Sequence, residues 1–259
     1  AYNDPMYKKC PKCAYERLPT DTAEAGMCPA CGVVFVKWLR SHAGLPARDE
    51  RPGQEMMAEP GRLGALWQRL VYVPDRTDPM LFWGRVAAYA GLFAWGWYFI
   101  SLSLHTNEIG ESFMHRINLA FHEAGHVAFI PFGRFMTILG GSLGQLIMPH
   151  VVMAAFLWKH HNTFGASVAL WWLGQSLMDL APYINDARSL QLSLVGGGTG
   201  FDRPGSHDWE NILRDLNLLH RDYRIAWWAD ALGSLIVVTA LAWGGYLLYR
   251  QYRNLPSVK

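Results

Sequence analysis

The sequence predicts a mainly α-helical, polytopic membrane protein of about five spans that carries a small cysteine-rich head at its N-terminus. Three observations predict it. Of the 259 residues, 51% are hydrophobic and only 17% charged, with 12 Trp. The apolar residues are gathered into blocks near the roughly 20 residues that a helix needs to cross a bilayer. All four cysteines fall between residues 10 and 31. A mean hydropathy near zero averages two regimes, a polar stretch over residues 1–80 and a largely apolar one over 81–249. The formal net charge of +2 gives no electrostatic footprint for nucleic acid. Lys and Arg sit mostly at the ends of apolar blocks, where they would meet lipid headgroups.

The head comprises residues 1–42. Its first twelve residues are polar, with Pro5 and Pro11 and no apolar core, so they do not read as a secretory signal. A cytoplasmic head is therefore expected, and in a reducing compartment paired cysteines read as metal ligands rather than disulfides. Cys10-Pro-Lys-Cys13 and Cys28-Pro-Ala-Cys31-Gly32 form two such pairs with fourteen residues between them. Four thiolates at this spacing suit the tetrahedral preference of zinc, and Gly32 permits a tight turn. A domain of about forty residues buries too little apolar surface to fold unaided, so a structural zinc is the expected staple. The pattern is that of a zinc ribbon.

Residues 43–61, with Pro46, Pro52 and Pro60, read as a linker. Residues 62–80 follow as an interfacial segment, in which Leu63, Leu66, Trp67, Leu70 and Val71 share one helical face. The membrane domain is 81–259. Its spans are expected over Leu81–Leu104, with Arg85 snorkelling; over Ser112–Phe132; from about Gly141 to Trp158; over Phe164–Ile184; and over Ile225–Tyr249. With the head inside, five spans leave Arg250 and Arg253 outside, against the positive-inside preference. Gly140-Gly141-Ser-Leu-Gly144 is a candidate for non-helical backbone at membrane depth. Residues 185–224 are polar, with Gly196–Gly198 as a turn and Asp208–Tyr223 as an amphipathic surface helix. The glycines do not read as a phosphate loop, which would end in Lys-Ser or Lys-Thr.

The second span contains His122-Glu123-Ala-Gly-His126. A spacing of four places both imidazoles on one helical face, where they can share a zinc ion. Glu123 beside them is the candidate catalytic residue, able to accept a proton from a metal-activated water. Without partners, such groups would be costly within lipid.

The arrangement resembles the site-2 protease family of intramembrane zinc metalloproteases. That family pairs HExxH with an aspartate on a later span, in a motif with Asn, Pro and Asp-Gly. Here the corresponding run is Asp179-Leu-Ala-Pro182-Tyr-Ile-Asn185-Asp186-Ala187. Pro182 matches. Asp186 falls one residue short of the usual spacing, Asp179 stands in place of Asn and Ala187 in place of Gly. The similarity covers about residues 112–190. It implies Asp186 as third ligand, a second zinc, and hydrolysis of a peptide bond in a membrane-associated substrate. His207, Asp208 and Asp179 are rival ligands, and helix–helix hydrogen bonding is the other role open to Asp179. His150, His160 and His161 read as structural or interfacial.

The alternative function is that of a non-catalytic subunit or assembly factor of a larger membrane protein complex, with structural metal. A different metal, such as iron, is also compatible with imidazole and carboxylate ligands. The expected location is the bacterial inner membrane. The expected partners are the lipid bilayer and a membrane protein substrate or complex, with no nucleic acid.

Overall fold

The computed structural model describes residues 9–18, 20, 21, 23, 26–42 and 61–256. The expected linker falls almost wholly outside these residues. The chain divides into two compact units, Ala1–Pro60 and Gly61–Lys259. The described residues are mainly helical, with only isolated β-bridges and no extended strand.

In the first unit, two tight hairpins each close on a single bridge, Lys9 with Glu16 and Met27 with Val34. Their inner turns are copies of one another. The amide of Ala14 donates to the Cys10 carbonyl and that of Gly32 to the Cys28 carbonyl, both at 2.9 Å. Ala14 and Gly32 follow the second cysteine of each pair, and both are left-handed, with φ of 58° and 67°. Glycine meets this requirement at no steric cost, whereas alanine does not. Buried Cys10, Cys28 and Phe35 form the unit's small core, with Tyr15 and Val33 against it. Helix α1, Phe35–His42, runs on from the second hairpin.

In the second unit, α2 spans Arg62–Leu70 and α3 spans Pro79–Ser101. Asp78 caps α3 by accepting from the Leu81 amide, and Pro79 occupies the first turn, where its missing N–H costs nothing. Ser112 caps α4, Phe113–Phe129, in the same way. A short 3₁₀ turn and Gly133 lead into α5, Arg134–Ala154, which continues as one wide turn to Lys159. Asn162 caps α6, Thr163–Asn185. After a loop come α7, Asp208–Asp215, and α8, Asp222–Arg253.

Helix α6 is the centre of this unit, with 17 of its 23 residues buried. It packs along α8, where Gly174 and Gly233 face each other. A side-chain carbon on either would come within 2.6 Å of the other's carbonyl oxygen. Phe99 of α3, Trp171 of α6 and Val237 of α8 fill the core beside them. Helices α4 and α5 form an antiparallel hairpin along a glycine seam. A side chain at Gly125 would collide with the Gly140 carbonyl, and one at Gly144 with the Phe121 carbonyl.

That seam corrects one expectation. Gly140–Gly144 is not irregular backbone but the interior of α5, which starts seven residues earlier than the apolar block suggested. These glycines bring two backbones together, as small residues do between packed helices in lipid. Arg85 of α3 donates to Gln251 of α8 at 2.9 Å. The amphipathic segment expected over Asp208–Tyr223 is also shorter, because α7 ends at Asp215 and the chain turns into α8.

Two helical stretches are long and apolar enough to cross a membrane, Arg134–Lys159 and Leu219–Arg253. Five spans are not supported on the same grounds. Helix α4, with 17 residues, is about 25 Å long and carries three histidines, Arg116 and Glu123. Helix α6 owes its burial to other helices of the protein.

Candidate metal centres

Cys10, Cys13, Cys28 and Cys31 converge in the first unit as the sequence predicts, and together could hold a metal ion. No disulfide joins them. The sulfurs of Cys10 and Cys31 are 3.8 Å apart and those of Cys13 and Cys28 3.6 Å. A tetrahedron with metal–sulfur bonds of about 2.3 Å has edges of about 3.8 Å, so the spacing fits one ion among four thiolates. Burial opposes ionisation of Cys10, yet the amides of Cys13 and Lys12 directed at its sulfur bring its pKa down to about 7. Backbone N–H groups thus favour the thiolate that metal binding requires.

In the second unit, α4 aligns His115, Asn118, His122 and His126 on one face, at successive spacings of three or four residues. Fully buried Asn118 fixes that face against α6. Its Nδ2 donates to Gln175 Oε1 at 2.9 Å and to Asp179 Oδ2 at 3.0 Å. Its Oδ1 accepts from Trp172 Nε1 at 2.8 Å and Ser176 Oγ at 3.0 Å. The other carboxylate oxygen of Asp179 takes His115 Nδ1 at 2.9 Å. Asp179 is therefore engaged in holding helices together, the second of the two roles open to it.

His122 and His126 meet Asp208, the first residue of α7. Its Oδ2 lies 3.0 Å from His122 Nε2 and 3.3 Å from His126 Nε2. The far nitrogens of both rings face acceptors. His122 Nδ1 lies 2.9 Å from Gln145 Oε1, and His126 Nδ1 lies 2.8 Å from the Thr137 carbonyl. Each ring therefore carries its hydrogen on Nδ1 and turns a lone pair toward Asp208. Three lone-pair atoms cannot approach this closely unless a proton or a metal ion lies among them. The separations match the edge of about 3.3 Å expected for a tetrahedron with bonds of about 2.0–2.1 Å. These three residues could hold a metal ion. Burial opposes a charge on Asp208; where protons rather than an ion lie among these three atoms, hydrogen bonds from the two imidazoles outweigh it, and its pKa falls to about 2.

The structure brings Asp208, not Asp186, to the histidine pair. Asp186 accepts from Ser189 Oγ at 2.6 Å and from the amides of Gln191 and Leu192 at 2.9 Å. It closes the turn after α6 and is not among the residues gathered at the histidine pair. Its second oxygen also faces His207 Nε2 at 3.4 Å. His207 is no ligand either. It is fully buried and caps α7, its Nδ1 accepting from the Glu210 amide. Asp186 and His207 thus build the support from which Asp208 projects. Tyr183 adds to it, since its hydroxyl accepts from the Asp208 amide at 3.0 Å. Arg134, at the start of α5, grips α7 from outside through Asp215 at 2.9 Å and Asn211 at 2.8 Å.

Glu123 faces a cavity of about 410 Å³ that His122, His126 and Asp208 also line, together with His115 and Arg203. Glu123 is exposed, and no hydrogen bond or ion pair engages it among the described residues. His150 instead bonds the carbonyl one turn back, at Leu146. His150, His160 and His161 stand outside the metal-ligand cluster.

Asp208 was one rival among several in the sequence. Gln145, Thr137 and Tyr183 carry no sequence signal of their own, because their roles depend on packing between helices. The one local signal is the spacing of Thr137, Gly141 and Gln145 by four, visible only once that stretch is read as helix. No protein-family model, curated protein or solved structure matches the chain.

Proposed function

We propose that this chain is an intramembrane zinc metalloprotease, akin to the site-2 protease family, in which His122, His126 and Asp208 hold a zinc ion and Glu123 is the general base. The supporting observation is one carboxylate oxygen lying 3.0 and 3.3 Å from two imidazole nitrogens, beside an unengaged glutamate in a shared cavity. Zinc bound there supplies a Lewis acid that polarises a carbonyl and makes a bound water more acidic. Glu123 accepts a proton from the attacking water and passes it to the departing amide nitrogen. The C–N bond breaks, and one product carries a new carboxylate, the other a new amine. Asp208 would serve as the anionic ligand of that ion.

A second zinc, bound by Cys10, Cys13, Cys28 and Cys31, holds the head together. The protein sits in the bacterial inner membrane with that head in the cytoplasm. Helices α5 and α8 cross the bilayer, and α3, α4 and α6 pack with them. Exposed aromatic residues along α3, among them Trp83, Phe93 and Trp97, support contact with lipid. The substrate is a membrane-associated protein.

The test is Glu123→Gln, purified in detergent beside wild type and incubated with a library of membrane-protein peptides. Both proteins should hold two zinc ions per chain. Cleavage by the variant should fall by about 10²–10⁴-fold, the usual loss with a general base. Equal product patterns from the two would leave the non-catalytic subunit as the better description.

A further inference from the structure

We infer that Gln145 is a positioning residue of the histidine–aspartate centre, setting which nitrogen of His122 is free to bind metal. The inference rests on the proposed metal centre and goes beyond it, because it assigns half of that centre to α5.

The side chain of Gln145 is almost fully buried, and its two ends are not interchangeable. Nε2 donates to the backbone carbonyl of Ser176 on α6 at 3.2 Å. That bond turns Oε1 toward His122 Nδ1, 2.9 Å away. An amide oxygen can only accept, so Nδ1 must carry the ring hydrogen and Nε2 the lone pair. The orientation of one ligand is thus dictated from α6 through a single amide. The Thr137 carbonyl does the same for His126 at 2.8 Å.

Thr137, Gly141 and Gln145 are spaced four apart, so they form one stripe of α5 facing the ligands. At Gly141 any side chain would run into both imidazoles, His122 and His126. The stripe therefore works as a template, with an acceptor at each end and bare backbone between for the rings to lie on. Gln145 is the one acceptor of the two that acts through a side chain, so it can be exchanged without altering backbone.

Metal affinity separates positioning from mere packing. Full-length protein in detergent is loaded with zinc and titrated with a chelator while zinc per chain is counted. His122→Ala identifies the release step that belongs to this centre. Gln145→Leu should weaken that step by about 10–100-fold, the usual cost of losing an outer hydrogen-bond partner. Gln145→Glu should bind as tightly as wild type or tighter, because a carboxylate accepts the same N–H and makes the imidazole more basic. Both variants lose the donation to Ser176, so a purely structural Gln145 would weaken both alike. That result overturns the inference, as does unchanged affinity in Gln145→Leu. Wild-type protein with no His122-dependent step overturns the metal centre itself, a failure visible before Gln145 is touched.

Discussion

At the scale of single residues, the two aspartates that compete for the third ligand position have opposite duties. Asp186 gathers the loop and Asp208 faces the histidines, so replacing them should have different effects. Burial opposes ionisation of Asp186, but His207, Ser189 and two amides outweigh it and hold its pKa below the usual 3.8. A lowered carboxyl pKa stabilises the fold above that value, and the contribution fades as pH falls through the lower, folded value. Asp186→Asn should therefore cost about 2 kcal/mol at neutral pH, the usual worth of hydrogen bonds to a charged group. In denaturant titrations the gap from wild type should begin to narrow as pH drops below about 3.8 and keep narrowing through the lower, folded value. Ala14 makes a second residue-scale case. It holds a left-handed turn that Gly32 holds freely. Ala14→Gly should stabilise the head by about 0.5–1 kcal/mol, net of the extra freedom of glycine when unfolded. Higher chelator resistance of the cysteine-bound metal would register it. The cysteines and the HExxH pair were legible in the sequence because their spacing alone places them together. Asp208 was legible only as one rival among several, since nothing local shows that a helix start 86 positions from His122 returns to it.

At the scale of elements, most helices are legible and two boundaries, the start of α5 and the end of α7, are not. Arg62–Leu70, Pro79–Ser101 and Thr163–Asn185 lie close to their predicted places, each a run of helical spacing or apolar residues. The start of α5 is not legible because three glycines within five residues carry no helical signal of their own. In α5 the glycines are there for what they lack. With Gly125 they bring α4 and α5 into backbone contact, and that contact lets the Thr137 carbonyl reach a histidine. Gly125→Val should drive the two helices apart. We expect a loss of about 3 kcal/mol, at the upper end for overpacking, together with loss of the histidine-bound metal. Thermal unfolding followed by circular dichroism, with elemental analysis of the same sample, measures both.

At the scale of the whole molecule, the ligand sets lie in separate units, Cys10 to Cys31 in the first and His122, His126 and Asp208 in the second. Number and class of membrane helix were less legible than helix position, because apolar composition does not tell contact with lipid from contact with protein. Most of α6 is covered by its own neighbours, whereas Trp227, Trp228 and Leu235 of α8 face outward. The grip of Arg134 on α7 has a kinetic consequence. The histidine rings lie against bare backbone at Gly141, whereas the third ligand, Asp208, is carried on α7. Asp208 moves with α7, and Arg134 is the latch on that short helix. Arg134→Ala should therefore speed metal escape into excess chelator several-fold while loading at equilibrium changes less. A stopped-flow trace would then report how often this door swings open.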